Sequence, residues 1–207
     1  GLLAAAGVLA ALLLHDSGRR RTAVACGAAA LLCRESAAVL PALIWAWDRV
    51  RGEERPKGWA PHGIVLFFFI AARTLTLGTF AQRTLWGGSW PVHLKLSLQG
   101  LGLGLGHVVW PSDLRVCYSF SEAGGVLAAF SAALLLAGLS CWTARGLKAR
   151  RPWSFGLFLG LTSLLPVSNL VPIDALAADR FLYLLLAGLG LSLGVVAASW
   201  TPLRHGA

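Results

Sequence analysis

Apolar runs follow one another along this chain, at about 1–14, 22–33, 36–47, 61–78, 92–110, 123–143, 153–166 and 181–200, with short polar breaks between them. A helix needs about 20 apolar residues to cross the hydrocarbon of a bilayer. Lipid offers no water to an unpaired backbone group, so a chain this apolar must hide its peptide groups in helices or a closed barrel. Composition points the same way: 57% of residues are hydrophobic and 13% charged, against about 25% charged in an ordinary globular domain. The mean hydropathy is +0.69. A water-soluble enzyme, a disordered tail and a collagen-like repeat are excluded. The sequence predicts an all-α, polytopic transmembrane domain occupying residues 1–207 as a single unit, with membrane lipid as its surroundings.

The formal charge of +9 would suggest a nucleic-acid partner in a soluble protein. In a membrane protein it marks cytoplasmic loops, where Lys and Arg accumulate, and no nucleic-acid partner is expected. Three breaks are basic: His15–Arg21 holds three arginines, while Asp48–Lys57 and Arg145–Arg151 hold four basic residues each. The breaks Pro111–Glu122 and Val167–Arg180 hold one Arg each and several acids. If every run crosses fully, with 22–47 as one helix, nine Lys/Arg face one side and six the other. If instead 22–33 and 36–47 are half-length helices turning at Cys33–Ser36, and 92–110 dips in and returns, the split is twelve to three. The second arrangement obeys the positive-inside rule better. It implies five full crossings, the first truncated, plus short or re-entrant helices, and puts the acidic breaks on the outer face.

The chain has no Met and opens inside an apolar run, and it is read as a fragment whose N-terminus is missing. Arginine outnumbers lysine by 15 to 3, a bias that fits a GC-rich bacterial genome and hence an inner-membrane location. Cys26 and Cys33 lie in apolar sequence and are expected to be buried thiols, not disulfide or metal ligands. The alternating Gly100, Gly102, Gly104 and Gly106 lack phosphate-loop spacing and are expected to let helices approach closely.

Charges inside the apolar runs carry the functional signal. Arg34-Glu35 sits between two such runs, and an ionisable group at membrane depth costs about 2.5–3.5 kcal/mol on insertion scales. The pair is either a structural ion pair or a cation aimed at an anionic ligand with Glu35 orienting it. Arginine suits phosphate because its planar fork donates two parallel hydrogen bonds. Arg73, near the outer end of its run, either snorkels to the interface or adds a second phosphate donor. Asp113, Arg115 and Tyr118 follow Trp110-Pro111, where Trp110 reads as an interfacial anchor. They form a weaker candidate group or simply a solvated loop. In Leu165–Pro172 two prolines bracket Ser168-Asn169, so the backbone there is non-helical. Asp179-Arg180 then opens the last helix, as an ion-paired cap or as part of a site at the water boundary.

These motifs resemble, in the same order, successive segments of the membrane O-mannosyltransferases that carry tetratricopeptide repeats, and of their bacterial relatives. The stretches are "LLCRESAAVLPALIWAWDR" (31–49), "AARTLTLG" (71–78), "VVWPSDLRVCYSF" (108–120) and "LLPVSNLVPIDALAADRFLYLLLAG" (164–188). The last is the most specific, through Pro-x-Ser-Asn-Leu and Ala-Asp-Arg-Phe-Leu-Tyr. The resemblance covers most of residues 20–200. It implies the C-type glycosyltransferase fold and protein glycosylation: transfer of a mannose-like sugar from a polyprenyl-phosphate donor to a protein or other acceptor on the periplasmic face. Arg34 stands where the family usually has Lys, which keeps the charge and changes its geometry. Glu35 matches the family's Glu, while Asn169, Asp179, Arg180 and Tyr183 match its late luminal motif. The general base of relatives lies in a first external loop upstream of Gly1, so no catalytic residue is expected in residues 1–207. The repeats would follow Ala207, and this stretch alone is expected to be inactive. The fold is compatible with a divalent metal, though no acidic cluster here argues for one.

A transporter or flippase for a lipid-linked or anionic solute would also use buried arginines and broken helices, but would show inverted repeats, and none is visible. A non-catalytic membrane scaffold is the third reading.

Overall fold

A computed structural model describes residues 2–53, 57–78, 85, 87–111, 114, 118, 125–170 and 182–200. Every regular element among them is helical. In chain order these are α1 (Leu2–Asp16), α2 (Arg20–Cys33), a 3₁₀ turn (Glu35–Val39), α3 (Leu40–Val50), α4 (Ala60–Leu77), α5 (Trp90–Val109), α6 (Val126–Lys148), α7 (Trp153–Leu164), a second 3₁₀ turn (Leu165–Val167) and α8 (Tyr183–Trp200).

Two helices, α6 and α8, are long and apolar enough to cross a membrane. Only 17% and 22% of their apolar windows are buried inside the protein, so they are not core helices of the kind a soluble domain hides. Leu127, Phe130 and Leu134 on α6, and Leu186 and Leu193 on α8, face outward. Phe67 and Phe68 do the same on α4. Exposed apolar surface on this scale needs an apolar environment.

The expected half-helix pair is present. Arg34 adopts an extended conformation (φ −166°, ψ 139°) that ends α2 and starts the first 3₁₀ turn. Pro41 then occupies the first turn of α3, where its missing N–H costs nothing. One other expectation needs correction. Residues 92–110 do not dip and return: α5 is one unbroken helix from Trp90 through Val109. The run 153–166 leaves the α-helix at Leu165, where the prolines lead one to expect it. α7 spans 12 residues, about 18 Å at the usual rise, because Pro166 cannot donate to the next turn.

Packing divides into two clusters. The larger buries Val8, Leu12, Leu31, Leu40, Leu43, Ile44, Phe155 and Leu159 between α1, α2, α3 and α7. The smaller joins Leu164, Leu182 and Leu185, with Leu101, Leu105 and Leu136 against them. α7 belongs to both, and its contact with α8 is made by small residues. A Cβ at Gly188 would collide with the backbone of Gly156 and Gly160, and Ser192 donates to the Trp153 carbonyl at 2.8 Å. Within the glycine series of α5, Gly102 packs against Ala128 and Ala132 of α6, and Gly104 against Leu182, but Gly106 faces open space. Cys26 is half-buried, whereas Cys33 is exposed on the outside of α2, contrary to the expectation for it. An apolar run in this chain often faces outward, so a thiol within one need not be buried.

Candidate functional site

The ends of the helix bundle are fixed by three contacts. His15 of α1 lies 2.7 Å from Asp48 of α3. Asp16 accepts from Trp47 at 3.1 Å and pairs with Arg51. The guanidinium of Arg150 lies beside Gly52. The end of α1, the start of α2, the end of α3 and the loop after α6 therefore gather at one end, which is the end of the basic breaks. Arg34 stands one residue past the end of the 14-residue α2, about 21 Å from its start, and so at the opposite end.

At that opposite end the two breaks in the backbone meet. The first 3₁₀ turn, which follows Arg34, packs against the second, which follows Leu164. Sequence reading singled out both segments, 130 residues apart, without a reason for them to touch. Their contact follows from α3 and α7 packing side by side, through Trp47 on Phe155 (ring centroids 4.8 Å apart) and Trp45 near Phe158 (6.2 Å). Arg73 is brought in by α4, and its guanidinium pairs with the Glu35 carboxylate. The Arg73 side chain is 27% exposed and that of Glu35 60%. The Nε of Arg73 is buried without a hydrogen-bond partner, so the pair spends only part of the guanidinium's donor capacity. Arg34, Glu35 and Arg73 are thus gathered at one end of the bundle.

Asn169 lies just past the second turn and is 1% exposed. Its φ of +57° is a left-handed conformation that Asn tolerates better than most residues. The turn before it is closed by Ser168 donating to the Leu165 carbonyl at 2.7 Å. The Asn169 carbonyl accepts from His93 Nε2 at 2.7 Å. Ser97, one helical turn along α5, donates to the His93 carbonyl at 2.9 Å and lies 3.4 Å from that of Asn169. The backbone of Asn169 thus fixes the chain to α5. Sequence reading did not pick out His93 and Ser97. The signal was there, as two polar residues spaced i, i+4 and so sharing one face of a largely apolar helix.

Tyr183 opens α8 and is half exposed, on a different element from those that carry Arg34 and Arg73. Tyr118, expected in a solvated loop, is buried instead, with its hydroxyl 3.1 Å from His107 Nδ1. Asp113, Arg115, Asp179 and Arg180 lie outside the described residues. No group of His, Cys, Asp and Glu that could hold a metal ion occurs among the described residues. The other missed feature is the buried His15–Asp48 pair with His62 beside it. In sequence these residues look like ordinary loop-end polar residues.

No family model, no curated protein and no solved structure matches the chain.

Proposed function

We propose that this chain is the membrane part of a glycosyltransferase of the C-type fold. It would move a mannose-like sugar from a polyprenyl-phosphate donor to a protein or other acceptor outside a bacterial inner membrane. The observation that carries the reading is the meeting of the two broken segments, at the end away from the basic loops, with Arg34 and Arg73 beside them. Non-helical backbone at membrane depth is tolerated where it is packed in protein or lines a polar cavity, and such places are where membrane proteins bind charged ligands. The order of motifs along the chain supports the same reading through the resemblance described above.

The chemistry is displacement at the anomeric carbon. The acceptor hydroxyl loses its proton to a general base, the new C–O bond forms, and the polyprenyl phosphate leaves with the bonding pair. Arginine at the phosphate stabilises the charge that develops there. Glu35, held by Arg73, would keep the local charge balanced at the end of the bundle where Arg34 stands. A divalent metal would supply further charge stabilisation at the phosphate.

The test is transfer from radiolabelled polyprenyl-phosphate mannose by the full-length enzyme, which would include the upstream general base, in membranes of an expressing host. Arg34→Ala and Arg180→Ala are each expected to lower the rate by about 100-fold, the scale of losing one charge-stabilising donor. Arg34→Lys, which restores the residue usual in the family, is expected to retain most of it. Unchanged transfer in both alanine variants rejects the site.

A further inference from the structure

A groove of about 440 Å³ lies between α3, α6 and α7. Its walls are largely apolar, with Trp45, Phe158, Leu161 and Leu165 among them. Its charged lining residues, among those described, are two cations, Arg49 in the last turn of α3 and Lys148 in the last turn of α6. Neither forms an ion pair with a described residue. Between the cations and the apolar wall sits Thr143, 2% exposed, whose hydroxyl is buried without a hydrogen-bond partner. A hydroxyl in that position ordinarily bonds to the carbonyl one turn back, as Thr162 across the groove does to Phe158 at 2.6 Å. A helix C-terminus attracts a cation by its dipole, which explains Arg49 and Lys148 singly. It does not explain why both open onto the same apolar groove beside an unused donor.

We propose that this groove binds an anionic phospholipid, its phosphate between Arg49 and Lys148 and one acyl chain along Phe158, Leu161 and Leu165. The charge pattern selects that occupant. The two cations stand at the end of the basic loops, which faces the leaflet where anionic headgroups attract clustered Lys and Arg, and basic pockets between helices on that side take such headgroups. From Lys148 back to Ser140 the wall is about 12 Å long, enough for the first part of an acyl chain. The inference rests on the helices lying in a bilayer. It does not rest on glycosyl transfer, because the groove's cations lie at the end opposite to Arg34 and Arg73.

The experiment uses the protein reconstituted in phosphatidylcholine vesicles and titrated with phosphatidylglycerol carrying brominated acyl chains, which quench a nearby tryptophan. Trp45 in the groove wall is the reporter, and Trp45→Phe identifies its share of the signal. Saturable quenching of Trp45 by the anionic lipid is expected, at least tenfold weaker in Arg49→Ala/Lys148→Ala. Arg145→Ala, which removes an exposed cation outside the groove, should leave it unchanged. Leu161→Phe keeps both charges, adds bulk to the groove wall without adding a second fluorescent reporter, and should weaken saturation even though the surface charge is intact. Equal quenching by brominated phosphatidylcholine, competition by millimolar inorganic phosphate, or wild-type binding in the double variant would each overturn the proposal. Protein that fails to enter vesicles, with its circular dichroism intact, refutes the bilayer reading itself; loss of glycosyl transfer alone touches only the proposed function.

Discussion

The two ends of the bundle both hold a carboxylate bonded to a basic side chain, and they hold it differently. At the end of the basic loops, His15 and Asp48 are almost wholly enclosed, with side chains 5% and 3% exposed. They join α1 to α3, and Gly58 lies so close over them that a Cβ there would strike both. At the other end, Glu35 and Arg73 pair across α4 and a 3₁₀ turn, with the carboxylate side chain 60% exposed. Regular helices surround the first pair, while the second sits where the backbone has already left the helix. An enclosed pair between intact helices fixes a structure. An open pair on broken backbone leaves its groups within reach of something else.

Breaking the enclosed pair should have the largest effect. His15→Ala strands Asp48, whose Oδ2 is already without a partner, and removing one member of a buried pair costs about 3–5 kcal/mol. Thermal unfolding in detergent should show the loss, and a cost below that of an exposed pair would erase the distinction drawn between the two ends. Overpacking the small-residue contact comes next. Gly188→Leu forces α8 away from Gly156 and Gly160 and should destabilise by about 1–3 kcal/mol, with increased proteolysis near α8 as a second readout.

The support behind the broken end should show an intermediate effect. His93→Ala removes the donor to the buried Asn169 carbonyl, worth about 1–3 kcal/mol for a group left unsatisfied. Asn169→Val should cost a similar amount through its positive φ, while Asn169→Gly should be nearly neutral. If valine is tolerated as well as glycine, the turn is not held where it is described. The smallest change in stability belongs to the open pair: Glu35→Gln should alter unfolding by under about 1 kcal/mol, the range for exposed pairs. A large loss there would make Glu35–Arg73 a structural tie like His15–Asp48, and would remove the contrast on which the site rests.

Much of this contrast was legible in the sequence, and the rest was not. The break at Arg34 could be anticipated because an arginine and a glutamate interrupt an apolar run. The irregular turn at 165–169 could be anticipated from its prolines and Ser-Asn. The partners of these segments could not. Asn169 meets His93 across 76 positions, and Asp48 meets His15 across 33, separations over which periodicity carries no information. Cys33 shows the opposite failure. Apolar neighbours in sequence suggest burial, but Cys33 is exposed, because a helix apolar on every side turns some of its apolar residues outward.

The sequence by itself determined that the chain is helical, where its helices stop, and that its positive charge collects in three breaks. Each of these follows from local chemistry: apolar run length, the missing donor of proline, and the cost of placing Lys or Arg in hydrocarbon. Only the tertiary structure decided that the two breaks meet, that one charge pair is sealed and the other open, and that Arg49 and Lys148 face one groove. Those outcomes depend on which helix faces pack together. In lipid that choice is made by small residues and close backbone contact, such as Gly156 and Gly160 on Gly188, and not by a hydrophobic stripe that could be read along one helix.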